Sequence, residues 1–425
     1  MPPPRWSAAA VPPSRRPDLR RRHDYAVTVP YWQRSTDAQT LDADVAIVGG
    51  GVCGLSAALH LRDRGLRVVV LERHAPGSGA SSRNAGFLMR GLAENYRVAR
   101  DTLGEAIARD VWHWSEENLQ GLRSRGVDAL SSYRATPSCL LALEQDEADE
   151  LIESASMLQA DGFGVLLTES GSDSVWQSGL PLVGLVNPHD ATVNPAELIG
   201  HLVSRLGDAV FAGREVFGIE PGNATNDGRC TVRAAGIEVR SDRVLVCTNA
   251  YAGSLVRSLE RLVEPNRGQM LALEAQGARL DYAYYVNRGH EYIRQDVDGT
   301  IVVGGCRGQF TDAERSMDDR TSERVQRAIE AFARLMLDRP IRVAARWAGT
   351  MGFSPDGMPL VGPISPDGSV WFCGGFTGHG MSLAYRTSAG AVAAMLDGVD
   401  TDPLAGVFTI SRLAEWPAAL EASSS

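Results

Sequence analysis

The sequence predicts an α/β protein of two interleaved domains, one wound around parallel strands and one built on an antiparallel sheet. Three observations carry this reading. A strand, glycine turn, helix and second strand are packed into residues 44–72. The stretch from Met270 to Gly305 alternates and is rich in Tyr, Val and Ile, the pattern of an antiparallel sheet. At 425 residues, the chain is too long for one compact layer.

The elements follow in order. Residues 1–24 hold six Arg against Asp18 and Asp24, with many Pro and no hydrophobic periodicity, and are expected to be a disordered leader. A basic tail docking on an acidic partner is the alternative; the apolar core of a signal peptide is missing from this segment. Asp44–Gly49 is a short apolar run ending in glycine, hence a buried strand. Leu55–Arg64 has helical apolar spacing and stops before Gly65; Leu66–Leu71 is the next strand and leads to Glu72. Residues 101–123 and 144–160 read as helices, and Asn194 and Pro195 open another that runs to Gly207. Short strands are expected at Glu215–Ile219, Cys230–Ala234, Gly236–Val239 and Arg243–Val246. Arg320–Leu337 is helical and ends before Pro340; from Val370 the order is strand, glycine-rich turn, helix Met381–Leu396. Segments 41–100, 190–265 and 340–400 are grouped as the cofactor-binding domain, and 101–189 with 266–339 as the substrate domain.

Composition narrows the function classes. A net charge of −10 argues against a general nucleic-acid surface. No run of about 18 apolar residues marks a membrane span. The six cysteines are scattered among apolar or glycine neighbours without a C-x-x-C pair, as expected of small buried residues in a reducing compartment, the cytoplasm. The eight histidines lack metal-ligand spacing, so no metal site is expected. Lysine is absent altogether, so no Schiff-base lysine and no lysine ammonium beside a cofactor can exist here.

Gly49, Gly51 and Gly54 form G-x-G-x-x-G between the first strand and its helix. The first glycine permits the tight turn, the second lets backbone approach a pyrophosphate, and the third lets helix and strand pack closely. The helix N-terminus offers free N–H groups to phosphates. Glu72, ending the second strand, can accept hydrogen bonds from ribose hydroxyls. The unit is therefore expected to be a Rossmann-type dinucleotide site. A second glycine- and serine-rich loop, GSGASSRNAGFL after Arg73, could extend along a longer cofactor, with Ser81 near the pyrophosphate. At the far end, CGGFTGHGMS opens the last helix, whose N-terminus could set N–H groups against a flavin pyrimidine.

These three motifs, with RWAGTMGFSPDGMPLVGP between the last two, carry a resemblance over residues 25–400. The chain resembles the D-amino-acid oxidase-type FAD-dependent oxidoreductases, the superfamily of glycine oxidase, monomeric sarcosine oxidase and gamma-glutamylputrescine oxidase. Tyr31-Trp32 and the GASSRNAG loop are most similar to the last of these. The resemblance implies FAD held by Gly49, Gly51, Gly54, Glu72 and Arg73 at its adenosine and pyrophosphate end. It implies that Ala80, Ser81, Arg83, Asn84, Ala85 and Gly86 line the cofactor toward the flavin. Val216 would pair with adenine through its backbone, or is simply a strand residue. Gly349, Gly378, His379, Gly380 and Met381 would close over the isoalloxazine. Tyr292 matches a substrate-site tyrosine, and Arg90 either faces the flavin or is solvated.

Departures from the family pattern shape the expected chemistry. Glycine oxidase-like members grip the substrate carboxylate with an arginine in W-A-G-L-R; here Trp347-Ala348-Gly349-Thr350-Met351 puts Met351 at that place. A thioether cannot pair a buried carboxylate, so an amine is favoured over a simple α-amino acid unless Arg90 or Arg294 substitutes. A neutral chain would pack on Met351 and Phe353. Gly349 stands where sarcosine oxidase-like members carry the flavin-linking cysteine, which implies non-covalent FAD. The oxygen-activating lysine of those members is missing, so oxygen use needs Arg or His379, or another electron acceptor is used. The expected reaction is oxidation of a C–N bond to an imine by hydride transfer to flavin N5. The alternative is a non-catalytic FAD-binding subunit.

Overall fold

The structure, a computed structural model, describes residues 39–413 except 93 and 224–226. The expected leader 1–24 and Tyr31-Trp32 lie outside the described residues. β1 (Gln39–Val48) runs at the centre of the first sheet. It leads through the glycine turn into α1 (Val52–Asp63) and then to β2 (Val68–Leu71). β1 is apolar on both faces because both are covered: Val45 and Ile47 enter one core, Ala46 and Val48 the opposite one. Parallel pairing joins β1 to β2 and to the strand Ile237–Val246, which in turn pairs in parallel with Val370–Gly374. Ile237–Val246 is one continuous strand where the sequence suggests two, since Ser241 stays buried in register opposite Cys230 and Ala43.

The second sheet orders its described strands Arg342–Phe353, Glu264–Glu274, Ile301–Gly305, Glu291–Gln295, Ala283–Val286, Ser138–Ala142, Val183–Asn187, Leu166–Thr168. Its second to fifth strands lie within Met270–Gly305 or overlap it and pair antiparallel, as the alternation suggests. The strand Arg342–Phe353 falls in the segment 340–400 that the sequence groups with the first domain. It hydrogen-bonds instead along the whole of Glu264–Glu274 in the second sheet, from Glu264 opposite Phe353 to Glu274 opposite Arg342.

Helix boundaries follow local chemistry. The Asn194 side chain accepts from the N–H groups of Ala196 and Glu197 and Pro195 opens the helix Pro195–Leu206, as the sequence predicts. The expected helix 101–123 is two, Tyr96–Leu103 and Glu105–Ser124, because Gly104 takes φ +84° between them. The final helix, Gly380–Asp397, packs against α1. Just before it, Thr377 N–H donates to Gly352 O at 2.9 Å, and Gly375 N–H to Asn249 Oδ1 at 2.9 Å. The first bond ties the turn to the edge strand of the second sheet, and the second anchors it to the segment that follows Ile237–Val246, where the cleft opens.

Candidate active site

The G-x-G-x-x-G turn is built by close approach. A Cβ on Gly54 would stand 2.0 Å from Gly49 O, so helix and strand could not pack with any larger residue there. The N-cap residue of α1 is Gly51, which has no side chain to cap it. Ser81, on the short helix α2 (Ala80–Arg83), sits over that N-terminus and its Oγ accepts from Val52 N–H at 3.0 Å. Glu72 closes the turn from behind. Its two carboxylate oxygens accept from the N–H groups of Gly50 at 2.8 Å and His74 at 2.9 Å. Beside it, Arg73 lies 4.9 Å over the Tyr251 ring and 3.8 Å from the Glu215 carboxylate, next to half-buried Val216 at the start of strand Val216–Glu220.

From Gly51 a cleft of about 1350 Å³, open solvent included, runs between the two sheets. Of the residues expected to hold the cofactor, Gly51, Ala80, Ser81, Arg83, Asn84, Ala85, Gly349, Gly378, His379, Gly380 and Met381 line it. Gly49, Gly54, Glu72, Arg73, Gly86 and Val216 are not among its lining residues. Arg83 is held by carbonyls, Nε donating to Ser78 O at 2.7 Å and Nη1 to Ala348 O at 2.8 Å. A Cβ on Gly349 would meet the Arg83 Cβ at 2.8 Å, so glycine there leaves room for this arginine.

His379 is buried, neither ring nitrogen has a hydrogen-bond partner, and burial holds its pKa down to about 4. A neutral imidazole with two unmet polar atoms, on a turn with Thr377 and Gly378 at positive φ, is a wall prepared for a polar partner. With the glycine turn at one end and this histidine at the other, the cleft fits FAD.

Opposite His379 stands an aromatic group. Tyr285 and Tyr292 are register partners on adjacent strands and stack with centroids 5.7 Å apart at 29°. Phe87, on β3 (Phe87–Leu88), meets Tyr285 edge-on at 4.9 Å. Burial pushes the Tyr292 phenol up to about 12 and raises that of Tyr285 further. A Cβ on Gly304 would strike the Tyr292 ring at 2.6 Å, so glycine lets the ring lie across its neighbouring strand.

Met351 lines the cleft. Its Sδ lies 3.7 Å from where a Cβ on Gly378 would be, and its Cε 3.0 Å from one on Gly268. Phe353, two residues on, does not line the cleft but carries the Arg307 guanidinium at 4.6 Å above its ring. Neither arginine considered as a substitute cation reaches this cleft. Arg90 is buried elsewhere, donating to Gly164 O at 3.1 Å and pairing with Glu116 at 3.1 Å. Arg294 is buried against the carbonyls of Ala85 and Val193 and pairs with Asp296. Tyr285, Phe87, Asn249, Thr377 and Arg307 are among the cleft residues that the sequence did not point to.

At the root of the cleft, Cys53 Sγ lies 3.7 Å from Cys247 Sγ and 3.3 Å from Cys373 Sγ. All six cysteines are buried and unpaired. Among the described residues, no group of His, Cys, Asp and Glu is arranged to hold a metal, and no helix is long and apolar enough to cross a membrane.

The chain is similar to gamma-glutamylputrescine oxidoreductase of Escherichia coli K12, with 26% identity over 381 residues and 82% of each chain covered. It is similar to glycine oxidase of Pseudomonas aeruginosa, with 27% identity over 360 residues, covering 80% of this chain and 91% of the relative. The crystal structure of glycine oxidase from Geobacillus kaustophilus superposes with a TM-score of 0.67 at 22% identity, covering 84% of this chain and 94% of that one, which shows the shared fold. Residues 44–395 match the family described as FAD dependent oxidoreductase, and the chain belongs to it.

Proposed function

We propose that this FAD-dependent enzyme oxidises the C–N bond of a small amine to an imine, with amines favoured over simple α-amino acids. Met351 carries this reading: the wall beside Gly378 is a thioether, which packs on an alkyl chain and leaves an α-carboxylate unpaired. Bound FAD supplies a hydride acceptor at N5. The chain's own residues orient and dry the substrate. Tyr285, Tyr292 and Phe87 exclude water, which favours the neutral amine whose C–H bond can react. Relatives named gamma-glutamylputrescine oxidoreductase and glycine oxidase support C–N chemistry.

We assign FAD contacts to the glycine turn, Glu72, Arg73, the 80–86 loop, Val216, Gly349 and residues 378–381, and the substrate wall to Tyr292 and Met351, with Phe353 off the cleft beneath Arg307. Arg90 drops out because it lies off the cleft. With Gly349 in place of a linking cysteine, the FAD is non-covalent. The electron acceptor is oxygen or another oxidant. His379, neutral at pH 7, supplies no cation to oxygen, which leaves Arg83 and Arg307 on the cleft walls. Six unpaired buried thiols suit the cytoplasm.

The test is anaerobic reduction of the flavin by an amine and by the α-amino acid of matching chain length, in wild type and Met351→Arg. Faster reduction by the amine in wild type, with a shift toward the acid in Met351→Arg, is expected. A wild-type preference for the α-amino acid overturns the reading, and a flavin that no amine bleaches marks a non-catalytic FAD protein.

A further inference from the structure

We infer that Arg307 docks an acidic group of the substrate, so that the cleft selects amines whose carboxylate is set back from the reacting carbon. This rests on the amine oxidation proposed above and adds the substrate class. Arg307 follows the strand Ile301–Gly305 and the left-handed residue Cys306, with φ 58°, which turns the chain at the cleft. Its guanidinium lies over Phe353, and a single donor, Nη1, is bonded, to Asn266 Oδ1 at 3.2 Å. Arginine has five donors. Among the described residues no carboxylate lies within 4.0 Å of it, whereas its neighbour Arg267 holds Glu314 at 2.8 Å. Of the two arginines lining the cleft, Arg83 gives Nε and Nη1 to the Ser78 and Ala348 carbonyls and lies 3.7 Å from the Asp319 carboxylate.

A guanidinium that is largely desolvated yet unpaired keeps a strong preference for an anion. Burial depresses its pKa, offset in part by Tyr292 and by the Glu314 carboxylate that Arg267 already holds, and Tyr292 has no hydrogen-bond partner of its own among the described residues. The planar fork suits a carboxylate, which it can hold through two parallel bonds.

Position sets the spacing. Met351 abuts Gly378, at the turn where the flavin wall begins, and Arg307 sits over Phe353, two residues further along the same strand. A strand advances about 7 Å over two residues, the length of several C–C bonds. An α-carboxylate beside the reacting carbon falls on Met351, and one borne at the far end of a short chain reaches Arg307.

The experiment uses holoenzyme and three amines of one length: butylamine, 4-aminobutanoate and 4-aminobutanamide. KM and the anaerobic reduction rate are measured for each, in wild type, Arg307→Gln and Arg307→Lys. Butanoate, which has no amine to oxidise, is titrated while the flavin absorption is followed. FAD content and Tm of each variant report folding. The expected result is that wild type prefers 4-aminobutanoate to the amide. Arg307→Gln should reduce that ratio by about 10- to 100-fold, with weaker butanoate binding to match, and Arg307→Lys should restore part of both. Equal KM for acid and amide in wild type overturns the inference, while bleaching by either leaves amine oxidation standing. If no amine bleaches the flavin, the function fails first, and butanoate binding that is lost in Arg307→Gln still supports the anion site. Absent or unaltered butanoate binding overturns it. Alanine outcompeting 4-aminobutanoate overturns the set-back geometry.

Discussion

The glycine-turn end of the cleft comes from one continuous stretch, residues 49–72, and is made mostly of backbone: Gly49, Gly51 and Gly54 in the turn, with Glu72 receiving the Gly50 N–H. The opposite wall is made of side chains delivered by separate strands and turns: Tyr285, Tyr292, Arg307 and Met351. Where backbone makes the contact, a residue type is fixed by what cannot be added. On the other wall it is fixed by what the side chain offers. A constant cofactor is thus held by the stiff end, and substrate choice rests with the other wall.

Substitutions on the glycine-turn side can break this contrast, starting with the largest effect. Gly54→Ala puts a methyl 2.0 Å from Gly49 O, backbone against backbone with no side chain free to move aside. Overpacking of this kind costs about 1–3 kcal/mol or more; flavin content after purification should drop sharply and Tm should fall. Normal flavin content in Gly54→Ala would show that the turn tolerates side chains after all. Glu72→Ala removes the acceptor that holds Gly50 and faces a ribose in the proposed assignment. FAD affinity, titrated by flavin fluorescence on the apoprotein, should fall roughly 5- to 150-fold, the equivalent of about 1–3 kcal/mol. The smallest effect is expected at Val216. If its contact with adenine runs through backbone, Val216→Ala should leave the FAD dissociation constant within about twofold. A larger loss would give the side chain a part that the proposal does not grant it.

The unequal legibility of the two walls in the sequence has the same origin. The β1–α1–β2 unit was readable because its spacing is local: strand, three glycines, helix, strand and Glu72 follow one another without a long-range partner. The Asn194 cap was readable for the same reason, since its acceptor and donors lie within three residues. Tyr285 went unnoticed beside Tyr292 because the pairing depends on the hairpin register, set by a turn at residues 287–290 that the alternation alone does not define. Arg307 was hidden more deeply. Its environment is fixed by Phe353 and Asn266, on two strands that meet only when Arg342–Phe353 joins the second sheet. That pairing brings Arg307 to the strand of Met351, whereas the sequence offers Arg90 and Arg294 as the substitute cations.

The interleaving also sets a timetable for the nascent chain. β1 emerges early, yet its parallel neighbour Ile237–Val246 follows some two hundred residues later, and the next strand in the sheet, Val370–Gly374, later still. At roughly 5–20 residues per second, the ribosome takes about 6–25 s merely to pass from residue 246 to residue 370. Throughout that interval the Val244–Val246 end of that strand, which Cys230–Ala234 does not cover, has one edge without a partner. The cofactor half, although encoded first and most locally, is therefore among the last parts of the molecule to close. Its slow, non-local pairing makes the growing chain a client for whatever shields sheet edges until the glycine-rich turn and final helix arrive.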